Sequence, residues 1–194
     1  MSRSTAVKAF AMTNMLLEAE LDQVEEKFQI DLGRNRNKGN KIEDKYYPQF
    51  ASSLRAEARK MSQHYEVFYC LEKSIRQLIV DIFEATGNPD WWGNLVPDVV
   101  RQNVIKSIKR EKEAAVTPRS SEPIDYTTFG ELSEIIKSNW SLFGGVVFNE
   151  LKAVEKVMAN LNSLRNPIAH CSPLAEDEVL RLELALRDWF RIMT

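Results

Sequence analysis

Two histidines are the place to begin, because histidine is the side chain that exchanges a proton near neutral pH. His64 stands between Gln63 and Tyr65 in the middle of a helical pattern, where a surface or hydrogen-bonded role is the plain reading. His170 has a different setting. It closes the run Ser163-Leu164-Arg165-Asn166-Pro167-Ile168-Ala169-His170, where a long amphipathic helix meets a proline. Proline donates no backbone hydrogen bond and crowds the preceding turn, so the helix is expected to kink or restart here. Asn166 would cap the new turn, with Pro167 at its first position. Four residues separate Asn166 from His170, which puts the two on one side of that turn. Arg165, one residue earlier, can reach over the same opening with its guanidinium. Proton transfer is the chemistry this compact polar group could offer. The same residues equally suit a structural cap, and spacing alone does not separate the two readings.

Other chemistries find little support. There is no cluster of His, Cys and acidic residues at metal-ligand spacing, so a metal nuclease is not expected. No glycine loop of the phosphate-cradling kind is present, and no cofactor is implied. Cys70 and Cys171 are the only cysteines, too few for a disulfide scaffold, and they read as reduced thiols of a cytoplasmic protein.

The elements that must position Arg165, Asn166 and His170 read as helices throughout. Residues 5–29 carry Val7, Phe10, Asn14, Leu17, Leu21, Val24 and Phe28 at alternating spacings of three and four. That is a heptad seam, which suits an amphipathic helix docked on its own domain or an intermolecular coiled coil. Residues 31–45 are polar and contain glycine, as a flexible linker does. Their basic side chains either touch phosphates or keep the linker solvated. A helical domain is expected over 46–194.

Within that domain a long helix is expected from about Ala51 to Ala85, its apolar face formed by Leu54, Ala58, Met61, Tyr65, Phe68, Leu71, Ile75, Leu78 and Ile82. Gly87-Asn88-Pro89 stops it, and Trp91-Trp92 closes the core in a short connector. Pro97 and Asp98 open a helix to about Ala115. Thr128 and Glu131 form a capping box for a helix through Phe143, and Gly144-Gly145 breaks it. Ser172-Pro173 with Glu176, Asp177 and Glu178 starts the last helix. No alternating strand pattern appears, and the fold class is all-α.

The chain has 194 residues and a net charge of −2, so a nucleic-acid partner would have to be met by a local patch. The most basic stretch is 101–119, six basic side chains against Glu111 and Glu113. Arg101, Lys106, Lys109 and Arg110 would be its RNA-contacting members if it tracks phosphates; a solvated helix face is the other reading. No apolar run approaches a membrane span, and the first ten residues lack the pattern of a secretory signal.

The run RNPIAH at 165–170 matches the R-N-x-x-x-H signature of the HEPN superfamily. Three blocks resemble the branch found in a nuclear mRNA-surveillance endonuclease and in bacterial defence proteins: VFYCLEKSIRQLI at 67–79 with DWW at 90–92, IIKSNWSLF at 135–143, and LNSLRNPIAH at 161–170. The resemblance spans roughly 46–193 and leaves out the N-terminal helix and linker. It implies a helical bundle that forms a homodimer, bringing two motifs to one cleft, and metal-independent RNA cleavage by a toxin or defence effector. On that resemblance Arg165 would hold the scissile phosphate. His170 would serve as acid or base on the ribose 2′-OH and the leaving oxygen, and Asn166 would orient the pair. Glu72 and Arg76 match a family pattern on the long helix, where Glu72 would anchor Arg165. A non-cleaving module that binds RNA or a nucleotide, or mediates dimerisation, is the other expectation. A protein antitoxin or defence-system partner would dock through the N-terminal helix. Toxins silenced by a nucleotidyltransferase antitoxin carry a tyrosine two residues after the histidine; Ser172 stands there, which speaks against that control.

Overall fold

A computed structural model describes residues 49–193, together with seven positions between Leu17 and Phe28, all helical. The rest of the expected N-terminal helix, and the linker, lie outside the described residues. The chain divides into two compact units, Met1–Gln49 and Phe50–Thr194. The second unit holds the buried core together with Glu72, Arg76, Arg165, Asn166 and His170.

Its elements are α1 (Ser52–Ala85), α2 (Trp91–Leu95), α3 (Asp98–Glu113), a 3-10 turn (Pro123–Tyr126), α4 (Phe129–Ser138), α5 (Trp140–Phe143), α6 (Leu151–Ala169) and α7 (Glu176–Ile192). No strand occurs among the described residues; two isolated bridges join Gly144 to Phe148 and Phe148 to Met193. The class is all-α, as the periodicity predicts. No helix among them is long and apolar enough to cross a membrane. α6 is the central scaffold, packed against α7, α4 and α1. The Phe83 ring lies 5.5 Å from Trp91 and 6.0 Å from Phe143, centre to centre, and Phe148 meets Trp189 at 5.3 Å. Trp91 and Trp92 are half-buried against this core, so the tandem tryptophans do close it.

Several local signals act as the sequence suggests. The Thr128 hydroxyl accepts from the Glu131 N–H at 3.3 Å while the Glu131 carboxylate accepts from the Thr128 N–H at 2.7 Å, a complete capping box. Gly87 takes φ +70° just past the end of α1.

Four expectations need correction. The helix expected to run through Phe143 ends at Ser138, because the Asn139 side-chain amide donates to the carbonyls of Leu95 and Ile135 at 2.8 and 2.9 Å and breaks the turn. α7 begins at Glu176 with Ala175 at its N-cap position and no side-chain cap, so Ser172-Pro173 belongs to the preceding loop. The buried stripe of α1 is Phe68, Leu71, Ile75, Ile79 and Phe83, whereas Leu54, Ala58 and Tyr65 are exposed. Full burial along α1 begins only at Phe68, with Met61 half-buried against the core one face-repeat earlier.

The fourth correction touches the site. The chain neither restarts nor breaks at Pro167, which lies inside α6. The carbonyl that proline leaves unbonded is that of Ser163, an exposed residue. Leu164 and Ile168 on either side of this step are buried and hold the last turn to the core. The helix instead closes after His170. The Ser172 N–H donates to the Pro167 carbonyl at 2.8 Å and the Cys171 N–H to that of Ile168 at 3.3 Å, a Schellman closure. Cys171 occupies its left-handed position at φ +56°, a place usually given to glycine.

Candidate active site

α1 and α6 pass each other where Glu72 meets Arg165, and the two helices supply most of the walls of a cleft of about 500 Å³. Glu72 joins α1 to α6 and, through Arg76, to the 3-10 turn. One carboxylate oxygen accepts from Arg76 Nη2 at 2.5 Å and the other from Arg165 Nε at 3.1 Å. Arg76 in turn donates through Nε to the Ile124 carbonyl at 3.2 Å and through Nη2 to that of Thr127 at 2.8 Å, tying α1 to the 3-10 turn. The side chains of Glu72 and Arg76 are 15% and 11% exposed, that of Arg165 33%. Such partly buried, charge-assisted bonds are stronger and better ordered than surface pairs.

The consequence for Arg165 is directional. Glu72 grips the guanidinium by Nε, and no other hydrogen bond to it occurs among the described residues, so both terminal nitrogens remain available to an anion. Planar N–H groups held this way match two oxygens of a phosphate. The cleft around them carries Lys73, Arg76, Arg119 and Arg165 against Glu72 and Asp125, a surplus of two positive charges. Lys73 donates to Asp125 at 3.3 Å. Burial raises the Asp125 pKa, but hydrogen bonds from Ser120 and Lys73 outweigh it, and the carboxyl lies below its ordinary value. Arg119 is set by Glu111, which accepts from its Nε at 2.5 Å, and by the Tyr126 ring 4.9 Å from its guanidinium carbon.

The structure thus brings Glu72, Arg76 and Arg165 together and leaves Asn166 and His170 apart from them. Asn166 is exposed, and it does not cap a new turn, since none begins there; its carbonyl accepts from the His170 N–H at 3.1 Å. His170 is the C-cap of α6, exposed, with no side-chain hydrogen bond among the described residues. It does not line the cleft. Residues five apart on a helix face directions about 140° from each other, which is why His170 and Arg165 diverge within one copy. Among the described residues no three His, Cys, Asp or Glu side chains gather where a metal ion could be held.

The basic stretch is less basic than its composition suggests. Arg101 pairs with Asp98 at 3.0 Å, Lys109 with Glu113 at 3.7 Å, and Arg119 with Glu111. Lys106 and Arg110 stand exposed on α3 without an ion-pair partner among the described residues. Tyr65, Tyr69, Lys73, Arg119 and Asp125 line the cleft although sequence reasoning did not assign them to it. For Lys73 a signal existed, since it adjoins Glu72; Arg119 arrives from a loop and Asp125 from the 3-10 turn, neither of which carries a motif.

Glu72→Ala is expected to lower stability by about 2 kcal/mol, a fall in Tm of roughly 4–8 °C for a chain of this size. It strands Arg76, which is nearly buried. Lys73→Ala, removing a largely exposed pair, should change stability by less than about 1 kcal/mol. Thermal melts followed by circular dichroism check both; equal, small shifts would mean that Glu72 bridges nothing of consequence.

A family model described as Swt1-like HEPN matches residues 66–194. No curated protein and no solved structure matches the chain.

Proposed function

The chain belongs to the Swt1-like HEPN family, and from that premise we propose that it is an RNA endonuclease that needs no metal, acting as a homodimeric toxin or defence effector. One observation carries the reading: Glu72 holds Arg165 by Nε and leaves its outer nitrogens unbonded among the described residues, on the wall of an open, positively charged cleft. That is an anion site built on two rigid helices.

In this reading Arg165 binds the scissile phosphate and stabilises the charge that builds on its oxygens as the phosphorus becomes five-coordinate. His170 takes the proton from the ribose 2′-OH, and the 2′-oxygen attacks phosphorus. The 5′-oxygen leaves with a proton, giving a 2′,3′-cyclic phosphate and a 5′-hydroxyl. One histidine serves as base and a second as acid. A second copy supplies that second histidine, so that two arginines and two histidines meet in one cleft between the copies. Asn166, one residue after Arg165, orients the substrate or the partner histidine.

In this reading α3 extends the binding surface to flanking phosphates through Lys106 and Arg110, joined by Lys109 on leaving its long 3.7 Å pair with Glu113, while Arg101 is held back by Asp98 at 3.0 Å. Changing Lys106, Lys109 and Arg110 to alanine is expected to flatten the plot of log affinity for single-stranded RNA against log salt, by about 0.7 for each phosphate no longer neutralised. An unchanged slope would leave these residues as surface charge.

A second reading, a module that binds RNA without cutting it, is favoured by the position of His170 outside the cleft. Purified protein incubated with labelled single-stranded RNA separates the two. The nuclease reading expects fragments; RNA that is retained and stays intact supports the binding module.

A further inference from the structure

The cleft at Arg165 has an aromatic floor that neither the proposed chemistry nor the bundle uses. Tyr65 and Tyr69 lie one turn apart on α1 and line the cleft, yet they are 60% and 57% exposed. Their ring centres are 6.3 Å apart and the planes are inclined by 37°, so the rings form a step that stays largely open to solvent. Neither hydroxyl makes a hydrogen bond among the described residues. Two large exposed rings side by side are costly to leave in water unless something covers them.

Their place along the helix says what. Tyr69 lies about 4.5 Å along the axis from Glu72, and Tyr65 about 10 Å. The tyrosines therefore lead away from the guanidinium that Glu72 holds. Lys73 and Arg119, whose side chains are about half exposed, flank the same cleft. Aromatic faces in line with an anion site and bordered by surplus positive charge suit a chain that alternates planar bases with phosphates. An apolar peptide would leave those charges unmatched.

Resting on the RNA reading above, we propose that Tyr65 and Tyr69 are a base-stacking platform, taking the two bases that follow one another away from the phosphate at Arg165. Stacking depends on the ring and not on the hydroxyl or on base identity, so this subsite accepts single-stranded RNA with little sequence preference. A base-paired stem, whose bases are already stacked on one another, is excluded from it.

The test uses the full chain and a fluorescent single-stranded RNA made non-cleavable by 2′-O-methyl groups, with binding read by anisotropy. Tyr65→Ala/Tyr69→Ala is expected to weaken binding about tenfold or more, the usual scale for losing stacked bases. Tyr→Phe or Tyr→Trp at both positions should restore it. An RNA lacking one base, with the gap moved along the strand, should bind wild type weakly at one or two positions and the Ala variant equally at all. Unchanged affinity of the double Ala variant, or a gap position that matters equally to both proteins, would overturn the platform. So would loss of dimer by light scattering together with loss of binding, which would assign the rings to an interface between copies. Because no step of the assay is catalytic, the platform stands or falls separately from cleavage.

Discussion

Replacing His170 with alanine is expected to slow RNA cleavage by about 10²–10⁴-fold, the cost of losing one acid–base group, and to leave Tm where it was. The second half of that expectation comes from the fold. His170 is exposed at the end of α6 and its side chain bonds to nothing among the described residues, while its backbone N–H bonds, to Asn166 and Pro167, survive the substitution. RNA affinity should also hold, since the proposed mechanism assigns the phosphate grip to Arg165. Arg165→Ala makes the useful contrast: it removes the grip as well as the partner of Glu72, so rate, affinity and stability should fall together. Cleavage that persists at the wild-type rate in the His170→Ala protein would remove that residue from the mechanism.

The substrate carries the other large effect. If the attacking group is the ribose 2′-OH, a single 2′-O-methyl at the cut position abolishes cleavage there while every phosphate remains in place. DNA of the same sequence should likewise survive. Single-turnover assays on an RNA methylated at one position would show cutting elsewhere on the strand and none at that bond. Cutting at the methylated bond would require a nucleophile other than the substrate itself.

Much of this fold is legible in the sequence because the signals concerned are local. A capping box needs only Thr128 and Glu131, and a helix stop needs only Gly87; both act through neighbouring backbone groups. What escaped the sequence depends on distant parts of the chain. Asn139 ends α4 by bonding the carbonyl of Leu95, 44 positions away. Tyr65 fits the apolar period of α1, but periodicity does not say where full burial begins, and it begins past Tyr65, at Phe68. Pro167 reads as a kink or a restart when only its own geometry is weighed; no restart occurs, and the buried Leu164 and Ile168 carry the helix past it. For the site, the resemblance pointed to Glu72, Arg76 and Arg165, and the structure sets them side by side. The cleft's other charges, Arg119 and Asp125, reach it through a loop and a 3-10 turn that no spacing announces.

The proposed mechanism makes the substrate supply its own nucleophile, and the ends of the products record whether it does. The direct measurement is cleavage of a defined single-stranded RNA by the purified wild-type chain in excess EDTA, with the His170→Ala protein, purified identically, as control. The account predicts undiminished cutting by the wild type, little by the control, and fragments ending in a 2′,3′-cyclic phosphate and a 5′-hydroxyl. Cutting that appears only on adding magnesium and leaves a 3′-hydroxyl and a 5′-phosphate would contradict it.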